Sequence, residues 1–250
     1  MAIEVFNRKE IKYFLTQEQK ELITPLLHRY MDCDSYNKDS KTYPICNLYL
    51  DTPTNELIRK SLEKPVYKEK LRLRSYGRVP LESTVYLEIK KKFKGIVNKR
   101  RTPFILSEAY DFIQNGTEPK NSKTNFQVLE EIKNMMTRYN LSPKAYIYYE
   151  RLAFFEKDDS DFRLTLDCNI TVRRKDLNLE NEVYGESLLP EGIWLMEAKA
   201  FKAFPLWFVH FLSQNKIFQV SFSKYGTEYT KMIKGEIYKN GTPILQNKNF

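Results

Sequence analysis

The feature that most restricts this chain is an alternation of period two in which one parity is apolar and the other cationic. In the stretch 68–76, Lys68, Lys70, Arg72 and Arg74 share one parity, and Leu71 and Leu73 the other. A strand keeps such a pattern on two separate faces, whereas a helix scrambles it. The same reading applies to 85–90, where Val85, Leu87 and Ile89 oppose Tyr86, Glu88 and Lys90. In 162–167, Arg163, Thr165 and Asp167 oppose Phe162, Leu164 and Leu166. In 194–199, Leu195, Glu197 and Lys199 oppose Trp194, Met196 and Ala198. Glu10 and Lys12 share a parity near the start, and Tyr149 and Arg151 share one inside a long strand predicted over 144–156. Stretches 45–50 and 98–106 bring the expectation to about eight strands.

Helical spacing lies between them. Thr16 is the expected N-cap of a helix over 16–31, with Leu22, Ile23, Leu26 and Leu27 on its apolar face and a break or kink expected at Pro25. Further helices are expected at 107–114, opening on Ser107, at 125–139, at the almost wholly apolar 205–214, and at 223–233. Polar loops fall at 36–42 and 115–125, and a loose tail at 238–250. No repeat or composition break divides the chain, so a single domain over 1–250 is expected, with its core at about 7–231.

Charge is as unevenly distributed as the alternation is regular. The 250 residues carry 41 Lys+Arg and 32 Asp+Glu, net +9. Residues 68–101 hold twelve basic and three acidic groups and account for the whole excess. A local field of this kind attracts polyanions. Hydrophobic residues at 42% and aromatics at 14% supply a core and exclude a disordered chain. No stretch approaches the ~20 apolar residues of a membrane span, and the first ten residues lack a signal-peptide h-region. Cys33, Cys46 and Cys168 show no metal-ligand spacing and, with two histidines, form no usual zinc set. A cytoplasmic location with reduced thiols is expected.

The ordinary explanation of a polar parity is a solvated face. Here that parity is dominated by Arg and Lys, and three E-x-K pairs (Glu10/Lys12, Glu88/Lys90, Glu197/Lys199) lie on separate strands. If the sheet closes into a barrel, these groups point inward, and about eight strands enclose room for a small ligand. A lumen rich in cations has to hold water or anions. Glutamates among them repel phosphate but suit Mg²⁺ or Mn²⁺ bridging to phosphate oxygens. That combination fits phosphoryl transfer, which needs positioning and charge neutralisation and no protein nucleophile. No Ser, Cys or His constellation and no phosphate-cradling glycine loop competes with it.

Eight short segments occur in order: RKEIKY at 8–13, LRLRSYG at 71–77, LEIK at 87–90, KRR at 99–101, YERLAF at 149–154, RLTLD at 163–167, MEAK at 196–199 and FSKYG at 222–226. Together they resemble the catalytic domain of the vacuolar transporter chaperone (VTC) polyphosphate polymerases, within the triphosphate tunnel metalloenzyme superfamily, over about 7–231. The resemblance implies an α+β fold, an antiparallel eight-stranded β-barrel forming a triphosphate tunnel with helices packed outside. It implies a transferase that moves the terminal phosphate of ATP onto a growing polyphosphate chain with Mn²⁺ or Mg²⁺. Carried over by position, Lys12, Arg72, Arg74, Lys90, Lys99 and Lys224 would be catalytic. Arg101, Arg151, Arg163, Lys199 and Ser223 would bind phosphate, Ser223 and Lys224 from the start of the last helix. Glu197 would hold the metal, with Glu88 and Glu10 as further candidate ligands. The run 99–101 allows more than one register, and Arg101 shares the parity of Lys99.

The wider superfamily often opens on ExExK; here Arg8 stands where the first glutamate would be, which suits the polymerase branch better than a simple triphosphatase. Eukaryotic members carry a phosphate-sensing helical domain and membrane segments, neither of which is expected in these 250 residues; a membrane-protein partner is a further expectation. ATP and polyphosphate are the expected partners, with no specific nucleic acid. A triphosphatase of the same fold is the alternative. A non-catalytic polyphosphate- or nucleic-acid-binding module, with Tyr67, Tyr76, Tyr86 and Phe93 as stacking rings, is the alternative from another class. Lys91, Lys92 and Lys94 read as a solvated strand end, and Trp207, Phe208 and Phe211 as core.

Overall fold

The alternating stretches pair, without exception, as antiparallel neighbours. The computed structural model describes residues 9–37, 41–94, 96–120, 123–157, 161–201 and 203–238. Its strands are β1 (Lys9–Leu15), β2 (Met31–Cys33), β3 (Tyr43–Asp51), β4 (Tyr67–Ser75), β5 (Thr84–Phe93), β6 (Ile96–Ile105), β7 (Ser142–Glu156), β8 (Arg163–Arg173), β9 (Glu186–Ser187), β10 (Trp194–Ala200) and β11 (Gln219–Val220). Its helices are α1 (Gln17–Tyr30), α2 (Glu56–Leu62), α3 (Leu106–Asn115), α4 (Phe126–Tyr139), α5 (Leu206–Gln214) and α6 (Lys224–Ile233).

The strand order is β11-β1-β10-β8-β7-β3-β4-β5-β6, with β2 added to β7 and β9 to β8. The eight long strands are those the alternation predicts; β2, β9 and β11 are two- or three-residue additions. Among the described residues no backbone pairing joins β6 to β11. The sheet instead curls, as twisted antiparallel sheets do, until Lys90 on β5 reaches Glu10 on β1 at 3.8 Å, six pairings away along the sheet.

Three apolar clusters fix that curl. The outer face of β3–β6 packs Leu71, Leu73, Leu87 and Phe104 against Phe112 of α3 and Leu129 and Ile132 of α4. The outer face of β1, β7, β8 and β10 packs Leu15, Leu164, Met196 and Ala198 against Ile23 and Leu27 of α1 and Phe208 and Phe211 of α5. The third cluster lies on the concave face, where Tyr225 and Tyr229 of α6 and Ile58 of α2 cover Ile45, Ile147, Val172 and Leu195. Helices therefore cover the outside, as expected, and α6 also fills part of the inside. No helix among the described residues is long and apolar enough to cross a membrane.

Several local expectations are corrected. Of the break or kink expected at Pro25, the break does not occur: α1 continues through it, capped by Thr16 and Gln19. Ile23 and Leu27, both at 0% exposure on either side of the proline, hold the turn against the sheet. Ser107 is not the cap of α3; the helix starts at Leu106, which is fully buried. Its first amides are satisfied instead by the carbonyls of Ser83 and Leu81. α5 buries Phe208 and Phe211 but leaves Leu206 74% exposed, so it covers the sheet with one face only. Of the expected tail, Tyr238 packs on the α6 cluster. Residues 239–250, and Arg8, lie outside the described residues.

Candidate functional site

Residues directly opposite one another in an antiparallel pair share a face, so the register alone predicts rows of side chains across the concave surface. Tyr49, Arg72, Glu88 and Arg101 form one such row across β3, β4, β5 and β6. Lys70, Lys90 and Lys99 form the next. On the other side, Thr165, Glu197 and Lys12 align across β8, β10 and β1, followed by Arg163, Lys199 and Glu10. Curling brings the two sets together around a cavity of about 1690 Å³ lined by seventeen basic and five acidic residues. That local excess is larger than the net charge of the whole chain, so the remaining residues carry a small net negative charge.

The cations near β4–β6 are organised by one buried carboxylate. Glu88, 2% exposed, accepts from Arg72 Nε and Nη2 at 2.8 and 2.6 Å. Lys99 stands 3.1 Å from its other oxygen, and Arg74 and Arg101 lie at 3.7 and 4.0 Å. Arg72 also donates to Tyr49 Oη at 3.1 Å. Arg74 is fixed by Asn47 Oδ1 and Tyr149 Oη, both at 2.9 Å.

A second chain of charges runs through β7, β8, β10, α6 and β1. Asp167, fully buried, takes a bidentate pair from Arg151 at 2.6 and 2.7 Å and a third contact from Lys224 at 2.6 Å. Lys224 also reaches Glu197 at 3.5 Å. Glu197 is flanked by Lys12 at 3.4 Å and Lys199 at 3.2 Å. Both lysines also approach Glu10, at 3.5 and 4.0 Å. Ser223 caps α6 by accepting from the Gly226 N–H at 3.2 Å and accepts from Lys70 Nζ at 3.2 Å. The positive end of a helix therefore opens on the cavity.

The electrostatics follow from enclosure. Burial works against ionisation of Glu197, but Lys12, Lys224 and Lys199 outweigh it and hold the carboxyl well below its usual range. Burial opposes Glu88 in the same way, and Arg72, Arg74 and Lys99 prevail. Lysines with less compensation move the other way. Burial, helped by Lys90, Lys68 and Lys12, pushes Lys70 down to about 8. Burial, helped by Arg72 and Arg74, pushes Lys99 down to about 7 despite Glu88. Such depressed ammonium groups gain most from an arriving anion.

Of the residues singled out from sequence, Lys12, Arg72, Arg74, Lys90, Lys99, Arg151, Arg163, Lys199, Ser223, Lys224, Glu10, Glu88 and Glu197 all line the cavity. Arg101 stands at its rim, its side chain 48% exposed and its guanidinium 4.5 Å above the Tyr86 ring. The register question at 99–101 resolves with Lys99 and Arg101 inward and Arg100 outward on Glu131 at 3.0 Å. The three glutamates do not form one group: Glu10 and Glu197 share Lys12 and Lys199, while Glu88 is surrounded by a separate set of cations. Lys91 pairs outward with Glu131, but Lys92 and Lys94 line the cavity rather than a plain solvated end. Sequence reading did not assign Asp167, Lys70, Tyr49, Tyr149 or Asn47. Asp167 and Lys70 shared the inward parity with assigned cations, which was their available signal.

The VTC domain family profile matches residues 7–233. A curated relative, vacuolar transporter chaperone complex subunit 2 of Schizosaccharomyces pombe, is 23% identical over 145 residues. The match covers 53% of this chain and 20% of that protein, so the chain spans well under two thirds of its relative. Among solved structures, a Bacillus halodurans protein provisionally described as an adenylate cyclase superposes with a TM-score of 0.53 at 14% identity, covering 89% of this chain and 96% of its own. A Vibrio parahaemolyticus protein of the same description gives a TM-score of 0.46 at 11% identity, covering 90% and 98%.

Proposed function

The chain belongs to the VTC domain family, and from that premise we propose that it is a metal-dependent polyphosphate polymerase. It transfers the terminal phosphate of ATP to a polyphosphate chain held in the basic cavity. The observation that carries the reading is the convergence of seventeen basic residues, most of them from separate strands and the rest from α6 and the connecting loops, on one cavity. Seventeen cations against five acids in one lining favour an extended phosphate polyanion over a single small anion.

Phosphoryl transfer places few covalent demands on protein. Arg72, Arg74, Lys90 and Lys99 grip the transferred phosphate and its neighbours, Glu88 keeping the guanidinium planes fixed. Lys12, Arg151, Arg163, Lys199, Ser223 and Lys224 hold the phosphates on the opposite wall, and Arg101 those at the rim. A terminal oxygen of the acceptor chain forms the new P–O bond as the bond between the β- and γ-phosphates of ATP breaks, and ADP carries away the electron pair. With phosphates aligned by fixed charges, most of the barrier reduction is positioning and charge stabilisation.

The donor set fits a divalent cation. Glu10 and Glu197 already accept cations in common, through Lys12 and Lys199, and Mg²⁺ or Mn²⁺ takes one or two carboxylates with the rest from phosphate and water. These two would hold the ion, which when bound neutralises charge developing on the phosphate oxygens. Glu88, whose Oε2 takes both Arg72 contacts and which lies within 4.0 Å of Arg74, Lys99 and Arg101, serves to hold the arginines. Similarity to a subunit of a named complex supports a protein partner for this chain, and a membrane protein receiving the product is the partner such chemistry calls for.

Incubation of the purified protein with ATP and Mn²⁺ is expected to give long chains that an exopolyphosphatase degrades. ADP with orthophosphate and no chain would mark a triphosphatase. A protein inert toward ATP that binds polyphosphate or RNA unchanged after Glu197→Gln would mark a binding module.

A further inference from the structure

The polymerase reading leaves a group of tyrosines unused at the end of β4 remote from Lys68. Tyr36 lies face to face with Tyr76, ring centroids 4.9 Å apart and planes 8° apart. Tyr43, which lines the cavity, approaches both at 5.6 and 6.1 Å. Two cations on the phosphate path adjoin this stack. Arg101 stands 3.5 Å from Tyr76 Oη, and Arg151 is the direct cross-strand neighbour of Tyr43.

Tyr36 is 55% exposed although one ring face rests on Tyr76, so its other face meets solvent. It is exposed but not loose. Its N–H donates to Asp34 Oδ1 at 3.2 Å. The next residue, Asn37, is 5% exposed and donates to the carbonyls of Lys41 and Arg151, both at 2.9 Å. Asn37 Oδ1 in turn accepts from the Ala153 N–H at 2.9 Å. A buried amide thus fastens the loop carrying Tyr36 to the strand carrying Arg151.

An inorganic polyphosphate has no flat apolar surface to place on such a ring; a nucleotide does, and base–aromatic stacking tolerates any base. We infer that the Tyr36–Tyr76 stack is the nucleobase platform for the triphosphate donor. The base rests on the open face of Tyr36 while the phosphates run past Arg101 and Arg151 into the cavity. This rests on the polymerase reading, because it presumes a nucleoside triphosphate as donor. Stacking area favours purines over pyrimidines.

Titration calorimetry with ATP and with tripolyphosphate, on the intact chain and on Tyr36→Ala and Tyr36→Phe, separates the possibilities. Tyr36→Ala is expected to weaken ATP binding about tenfold, within the range of single base-stacking contacts, and to leave tripolyphosphate unchanged. Tyr36→Phe keeps the ring and should bind ATP as the parent does. Equal effects of Tyr36→Ala on both ligands, or none on either, would overturn the platform and leave the polymerase reading standing. A parent protein that binds neither ligand would overturn both.

Discussion

Lys70 has no carboxylate ion pair among the described residues; its ammonium donates to Ser223 Oγ and lies near Tyr49, Lys90, Lys68 and Lys12. Its depression to about 8 ties anion binding to pH. A phosphate group favours the protonated form, so affinity for tripolyphosphate is expected to fall as pH rises through about 7–8, with proton uptake on binding near pH 8. Lys99 contributes at the lower end, less strongly because 41% of its side chain reaches solvent. In the free protein the sign reverses: the unfolded chain holds that proton more tightly, so folding stability rises from about 8 toward the 10.5 of a free lysine. Calorimetry in two buffers of different ionisation enthalpy checks the uptake, and an affinity flat across this range would contradict it. Lys70 also illustrates what a sequence withholds. Its inward parity with Arg72 was readable, but its lack of a carboxylate ion pair depends on which side chains the curl brings opposite. Asp167 is the converse: a lone acid in an alternating stretch became the fully buried counter-ion of Arg151 and Lys224. Leaving two such cations unpaired costs about 3–5 kcal/mol, so the acid is as necessary as the cations it fixes.

Each position of the segment 223–226 that opens α6 has a separate physical task. Ser223 caps the helix, Lys224 enters between Asp167 and Glu197, Tyr225 donates to Asp51 Oδ2 at 3.0 Å, and Gly226 permits close approach. A Cβ at Gly226 would lie 3.2 Å from Leu62 Cδ2 and from Ser223 Cβ and Oγ. Gly226→Ala therefore requires Leu62 and the Ser223 cap, which Lys70 also contacts, to give way by a few tenths of an ångström. Tripolyphosphate affinity is expected to fall by about tenfold, while urea denaturation registers about 1 kcal/mol, the usual weight of a cap. A loss of stability with unchanged affinity would show that the turn does not face the ligand. The long strands and this helix were legible because their periodicity is strong. Helix α2 and strands β2, β9 and β11 were not, because two turns of helix or two to three residues of strand give too little period to read. Pro25 failed as a signal of a break for a different reason: burial of Ile23 and Leu27 outweighed the local preference to break.

At the scale of the whole molecule, the curl of the sheet is completed by charges rather than by backbone pairing. Lys90 on β5 meets Glu10 on β1, and α6 leans across from Ser223 to Lys70. The β4–β6 cations and the β1–β10 cations repel one another across this seam, and only a few carboxylates offset them. A polyanion long enough to touch both sets ties the seam together, whereas a single phosphate touches one side at a time. Bivalent contact makes the second engagement intramolecular and strengthens binding without any new kind of interaction. Thermal stability should therefore climb with phosphate chain length at equal phosphate concentration: orthophosphate least, pyrophosphate more, tripolyphosphate most. At about a hundred times its dissociation constant a ligand stabilises by about 2.7 kcal/mol, or about 5–10 °C for a chain of this size. Added sodium chloride should shrink the rise, because the rim lysines are screened, while leaving the order of the three ligands intact. Scanning calorimetry measures all of this in one series. Equal shifts from orthophosphate and tripolyphosphate would mean that no ligand spans the seam, and the cations would then be two separate surfaces rather than the walls of one binding channel.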